Sequence, residues 1–218
     1  MFNLPITISK NVSLLTFFIS FLGFISAFVL AFINSWTNTE KTVKNAFQLH
    51  AISTIVPIIT YVCIYIKMIK NISAFPGILF MRYSDWLLTL PITFISLIYI
   101  ISYLNCNQSI RLDKKPFILI IFLSMLLVIG NFLTSFYKSL NLLILIGIVF
   151  FSLFFTIYNK YLRNSNAVSK LLYFYMLIST LLFSLISKLN LIDSNLVLNL
   201  LDLFYKGGSV LISWYLTR

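Results

Sequence analysis

Apolar residues in this chain come in long uninterrupted runs, separated by a few polar positions at a time. The runs lie near 12–34, 46–66, 76–101, 117–136, 140–158, 168–187 and 196–216. A helix rises ~1.5 Å per residue, so about 20 apolar residues cross the ~30 Å hydrocarbon layer of a bilayer. The pattern predicts an all-α membrane protein, a seven-transmembrane-helix bundle whose loops are too short to hold a soluble domain. Residues 1–218 read as one membrane domain, a multi-pass integral membrane protein. The first run is too long for a removable signal peptide and lacks a small-residue cleavage site, so it reads as a structural helix.

Composition agrees. The chain is 60% hydrophobic and 10% charged, with a mean hydropathy of +0.99, against roughly 45–50% apolar and 25% charged in soluble domains. A net charge of +11 raises the question of a nucleic-acid partner, but the basic residues are scattered over loops and form no stripe. Orientation accounts for them better. With the N-terminus outside and the C-terminus inside, Lys41, Lys44, Arg111, Lys114, Lys115, Lys160, Arg163, Lys170 and Arg218 are cytoplasmic, against Lys10, Lys67, Lys70, Lys138 and Lys188 outside. Cys63 and Cys106 fall on opposite sides of the bilayer in this arrangement and read as small apolar fillers rather than a disulfide. The sequence shows no repeat, no Gly-rich phosphate loop and no Cys/His metal spacing.

Of the five acidic residues, Glu40, Asp113 and Asp193 fall in predicted loops, leaving Asp85 and Asp202 at membrane depth beside two basic residues, Arg82 and Lys206. Each ionisable group near the centre of a span costs ~2.5–3.5 kcal/mol on insertion scales, more than lipid packing explains. Asp202 and Lys206 are four residues apart and share a helix face, as do Arg82, Asp85 and Thr89. The four charges are expected to meet as a compact, nearly neutral cluster. Such a cluster either fixes how helices pack or marks a proton, ion or ligand path, and intramembrane charges favour the path. A lysine held between apolar walls is also suited to condense with an aldehyde.

The third run, "RYSDWLLTLP" at 82–91, together with "LDLFYK" at 201–206 and, more weakly, "AISTIVP" at 51–57, resembles the microbial (type 1) rhodopsins, particularly the bacteriorhodopsin-like pumps. The resemblance implies that Lys206 carries all-trans-retinal as a protonated Schiff base, with Asp85 and Asp202 as counter-ions and Asp85 as the proton acceptor. It implies further that Arg82 lies on the extracellular side of that pair, that Thr89 hydrogen-bonds Asp85, and that Trp86 packs against the polyene. Tyr83 joins the pocket in this reading, although ordinary helix packing explains both aromatic residues without the motif. Thr93 stands at a position the family uses for colour tuning. Met176, Ser179, Thr180 and Phe183 in the sixth run stand where most members have tryptophans and a proline. The implied function is a light-driven outward proton pump, not an enzyme. Its partners are membrane lipids and protons, it forms a homo-oligomer, and it needs no nucleic acid and shows no transducer.

The sequence departs from the best-known pumps in two further places. Ser96 replaces the family's carboxylate donor, so the family's three-residue motif reads Asp85, Thr89, Ser96. A serine does not donate a proton at accessible pH, so recovery is expected to draw on cytoplasmic water through Ser53 and Ser96. His50, the sole histidine, stands near the cytoplasmic end of the second run, either collecting protons there or serving as an interfacial polar group. The family's paired-glutamate release site is missing, with Asp193 and Ser194 near its place. The lost donor makes a light-gated cation channel the first alternative, and a photosensor the second. An intramembrane aspartyl protease needs two carboxylates sharing a proton, and it is disfavoured by a lysine one turn from Asp202 and by the absence of a Gly-x-Gly-Asp signature. A seven-helix receptor for a soluble ligand has no motif in its favour.

Overall fold

A computed structural model of the chain describes residues 10–69, 75–105, 114–137, 139–186 and 192–218. Each apolar run forms a helix: α1 Lys10–Thr37, α2 Lys41–Ile69, α3 Phe75–Leu104, α4 Lys114–Phe136, α5 Leu140–Ile157 and α6 Ala167–Ile186. The last crossing is α7 Ile192–Asp202, a π-helical turn Leu203–Gly207, and α8 Gly208–Leu216. A second π-helical turn, Tyr158–Leu162, extends α5. α1 to α6 each contain a segment long and apolar enough to cross a membrane. Backbone polar groups have no water to bond with in hydrocarbon, so helices that satisfy their own carbonyls are the form such segments take.

Most helices run several residues past the apolar stretch that announces them. α2 begins at Lys41 rather than 46, and α3 reaches Leu104 rather than 101. Short loops force consecutive helices antiparallel. Neighbours in sequence pack against one another, and α1 meets α7 and α8, closing the bundle. Asn166 helps close it: its side chain caps α6 by accepting the Ser169 N–H at 2.8 Å and donates to the Leu104 carbonyl at the end of α3. We call the membrane face where α1 begins the N-face and the opposite one, where α8 ends, the C-face.

The bundle turns its bulk apolar side chains outward and its small polar ones inward. Phe18, Phe32, Ile118, Phe151, Leu171 and Phe174 are exposed, whereas Ser20, His50, Ser53, Thr89, Ser96, Ser179, Asn199 and Ser213 are buried. Lipid solvates the first set, and only other helices satisfy the second. Trp36 and Tyr215, both at C-face ends, are about three-quarters exposed at 73% and 76%, as interfacial aromatic anchors are. Glu40 stands exposed in the loop before α2, as expected. Cys63 is a half-buried free thiol. Lys70, Cys106, Arg111, Asp113, Lys138 and Lys188 lie outside the described residues, and so do the side chains of Asp193 and Ser194.

Candidate functional site

The buried charges converge midway through the bundle. Lys206 sits in the π-helical turn and is 2% exposed, and its Nζ meets both oxygens of Asp85, at 3.0 and 2.9 Å, and Oδ1 of Asp202 at 2.9 Å. α3 supplies one carboxylate and the seventh crossing the other, so the ammonium ties two elements far apart in sequence. Thr89, one turn past Asp85, donates its hydroxyl to Asp85 Oδ1 at 3.1 Å and to the Asp85 carbonyl at 2.9 Å. Asp202 has less support, and its Oδ2 has no hydrogen-bond partner among the described residues.

Arg82 corrects the expected four-charge cluster. It is buried one layer toward the N-face, and among the described residues it forms no ion pair with either carboxylate. Its guanidinium donates to the side-chain oxygen of Asn199 and lies over the Tyr61 ring, 5.8 Å from the centroid. The Tyr61 hydroxyl donates to the same Asn199 oxygen at 3.2 Å, and Ser20 on α1 donates to the Asn199 carbonyl at 3.1 Å. Asn199 thus gathers α1, α2 and α3 onto α7. Its sequence signal was a single amide three residues before Asp202, too common in a short polar interruption to be singled out.

Beside Lys206 lies a cavity lined by Tyr83, Trp86, Leu90, Leu127, Val128, Asn131, Ser179, Phe183 and Tyr205, with Thr89, Thr180, Ser184 and Asp202 completing its wall. Tyr83 donates to the Asn131 carbonyl at 3.2 Å, which fixes its ring edge-on to Trp86. Phe183 meets Trp86 from α6. Among the candidate pocket residues, Tyr83, Trp86, Ser179, Thr180 and Phe183 face this cavity, while Met176 packs in the apolar core between α3, α5 and α6. Thr93 is buried outside it and bonds the Thr89 carbonyl at 2.8 Å.

Toward the C-face the surroundings of His50 differ from the expected helix-end position. The imidazole is fully buried, with Nε2 2.9 Å from Ser213 Oγ on α8 and Nδ1 3.2 Å from Ser96 Oγ on α3. The Ser53 hydroxyl donates to the His50 carbonyl at 3.0 Å rather than meeting the ring, whereas Ser96 meets the ring while donating to the Thr93 carbonyl at 2.8 Å. Asp85, Thr89, Thr93 and Ser96 are all buried on α3 at helical spacing, a polar seam running from Lys206 toward His50.

No protein-family profile and no curated protein sequence matches the chain. Solved structures do. The viral rhodopsin OLPVRII superposes with a TM-score of 0.81 at 20% identity, covering 94% of this chain and 96% of that one. A thermophilic rhodopsin gives 0.77 at 18% identity, covering 96% of this chain and 95% of the other. Exiguobacterium sibiricum rhodopsin gives 0.72 at 18% identity, with 94% and 96% covered. The similarity extends over nearly the whole length of each partner. This multi-pass integral membrane protein therefore has the microbial rhodopsin fold.

Proposed function

We propose that the chain is a light-driven outward proton pump in which Lys206 holds all-trans-retinal as a protonated Schiff base. The observation that carries this reading is the placement of one buried amine between two buried carboxylates, at 2.9 Å from each, on the wall of an aromatic-lined apolar cavity. The residues suit such a group: an amine to condense with an aldehyde, two anions to balance the resulting cation, and Trp86, Tyr83 and Phe183 to pack a polyene. Retinal bound there supplies a chromophore whose photoisomerisation re-aims the nitrogen of Lys206.

The chain's own residues then move the proton. Asp85 takes it from Nζ, so an N–H bond breaks, an O–H bond forms, and both partners become neutral. Thr89 holds the receiving carboxyl in place through its bond to Oδ1. Asp202 stays ionised beside the nitrogen and favours the return of a cation. Arg82, held by Asn199 on the N-face side, balances the remaining anion and carries the change in charge at Asp85 toward that face. Reprotonation of the nitrogen from the C-face completes net transport, and with Ser96 in the donor position it draws on water there.

The test is to express the protein with all-trans-retinal and follow external pH under light. Outward pumping acidifies the medium, more so when a potassium ionophore collapses the membrane potential, and a protonophore abolishes the signal. An unchanged pH in pigmented cells contradicts the reading. A light-gated cation channel is the second reading, favoured by the buried polar groups that run from Asn199 past Lys206 to Ser213. Photocurrents separate the two: a pump keeps its direction against a modest opposing potential, and a channel reverses at the ion's equilibrium potential.

A further inference from the structure

The sole histidine of the chain is built into the interior with a hydroxyl on each ring nitrogen, from two different crossings. We propose that His50 is the proton relay between the C-face and the site at Lys206, accepting from Ser213 and delivering to Ser96. The inference rests on the pump reading.

Three features of the structure point to it. A serine hydroxyl both donates and accepts, so each ring nitrogen can hold or release a proton without breaking the bond that positions it. The ring nitrogens meet Ser96 and Ser213, while the neighbouring hydroxyls of Ser53 and Thr54 bond the His50 carbonyl, at 3.0 and 2.9 Å; Ser96 itself donates to the Thr93 carbonyl, which leaves its oxygen to accept from Nδ1. The relay also stands where the path is otherwise closed. Ala31, Val43, Phe47 and Val210 form an apolar cluster in the C-face half of α1, α2 and α8, flanked by Tyr103 and Trp214. Phe47 sits 6.0 Å from the imidazole. On its inner side Ser96 opens onto the α3 seam, 11 residues from Asp85 or about 16 Å of helix.

The transfer balances. As the Ser213 hydroxyl proton moves to Nε2, the Nδ1 proton passes to the Ser96 oxygen, and the proton Ser96 had directed at the Thr93 carbonyl, 2.8 Å away, is handed to water that carries it along the α3 seam toward Lys206. Water at the C-face refills Ser213. Every oxygen ends with the protons it began with, and the ring ends as its other tautomer, restored by a half-turn or through its cation. Ser96 thus acts as a conductor at the position where an acid would act as a store.

Two measurements test the proposal. In the full chain without retinal, a single histidine gives one pair of ring 15N resonances. Ser96→Ala is expected to shift the Nδ1 signal and Ser213→Ala the Nε2 signal, and if neither moves the ring does not stand between the serines and the relay is overturned. With retinal bound, flash spectroscopy follows return of the proton to the Lys206 nitrogen. His50→Ala and His50→Asn are expected to slow that return at least tenfold while its loss to Asp85 and the dark absorption stay unchanged, and added imidazole is expected to restore the rate in His50→Ala. Return at the native rate in both variants, or slowing that imidazole does not relieve, overturns the relay and leaves the pump reading standing. A native protein that never loses the nitrogen's proton in light removes both.

Discussion

Asp85 and Asp202 stand at the same distance from Lys206 yet are held differently, and the difference supports the roles proposed for them. Asp85 meets the amine with both oxygens and carries the Thr89 hydroxyl, whereas Asp202 offers one oxygen from the helix that bears the lysine. Asp85→Asn is therefore expected to retain pigment, shift its absorption to the red because a counter-charge is lost, and abolish light-driven transport, as read by visible spectra and external pH. Asn199→Leu tests the anchor of Arg82. It removes the acceptor of a charged donor inside the bundle, a bond worth ~1.5–3 kcal/mol, and is expected to lower thermal stability accordingly. Spacing alone made Asp85, Asp202 and Lys206 legible, because charges at membrane depth have to meet. The hold on Arg82 was not legible, because an amide partner carries no charge signature. His50 was misplaced because the second apolar run starts at 46 while the helix starts at Lys41. It lies nine residues, or about 14 Å, along the helix.

At the scale of the element, the seventh crossing owes its geometry to a feature the apolar pattern does not encode. The π-helical turn around Lys206 disturbs the regular carbonyl ladder, and α6 compensates. The Tyr175 hydroxyl donates to the carbonyl of Phe204 and, at 3.1 Å, to that of Tyr205. A β-carbon at position 208 would stand 2.6 Å from that hydroxyl, so Gly208 is what lets the tyrosine approach. On the other side a β-carbon at Gly23 would stand 2.5 Å from Leu203, so α1 also fits closely against the turn. Tyr175→Phe leaves those carbonyls poorly satisfied and is expected to destabilise the pigment by ~1–3 kcal/mol in thermal bleaching. Gly208→Ala is expected to be harmful in the native background and much milder in Tyr175→Phe, a non-additivity that a double-mutant cycle reads directly. The sequence held Gly208 in plain view at "KGG" but offered no sign of its partner. Tyr175 sits in a sixth run that departs most from the family's usual residues.

For the whole molecule, the seven runs alone were enough to place seven crossings, since hydrocarbon leaves the backbone little choice but helix. The closing of the ring was not readable from them, because it depends on which face each helix turns inward. The bundle aligns its buried polar groups as a seam from Asn199 through Lys206 to Ser213, interrupted toward the C-face by the apolar layer around Phe47. In the proposed cycle, with no acid stored at Ser96, the proton that returns to the nitrogen comes from bulk water at the C-face. Its supply falls as the medium becomes more alkaline, so the late recovery step is expected to slow as pH rises through the neutral range, in time-resolved absorption. Pigment recovery that is independent of pH between mild acid and mild base would contradict an uptake-limited cycle. All of these expectations presuppose a covalent bond to one amine. The most direct test is the visible spectrum of purified protein incubated with all-trans-retinal, native beside Lys206→Ala. The account predicts a visible band in the native protein, far to the red of free retinal, that is lost in the variant; a native protein that stays colourless, or a variant that colours equally, would contradict it.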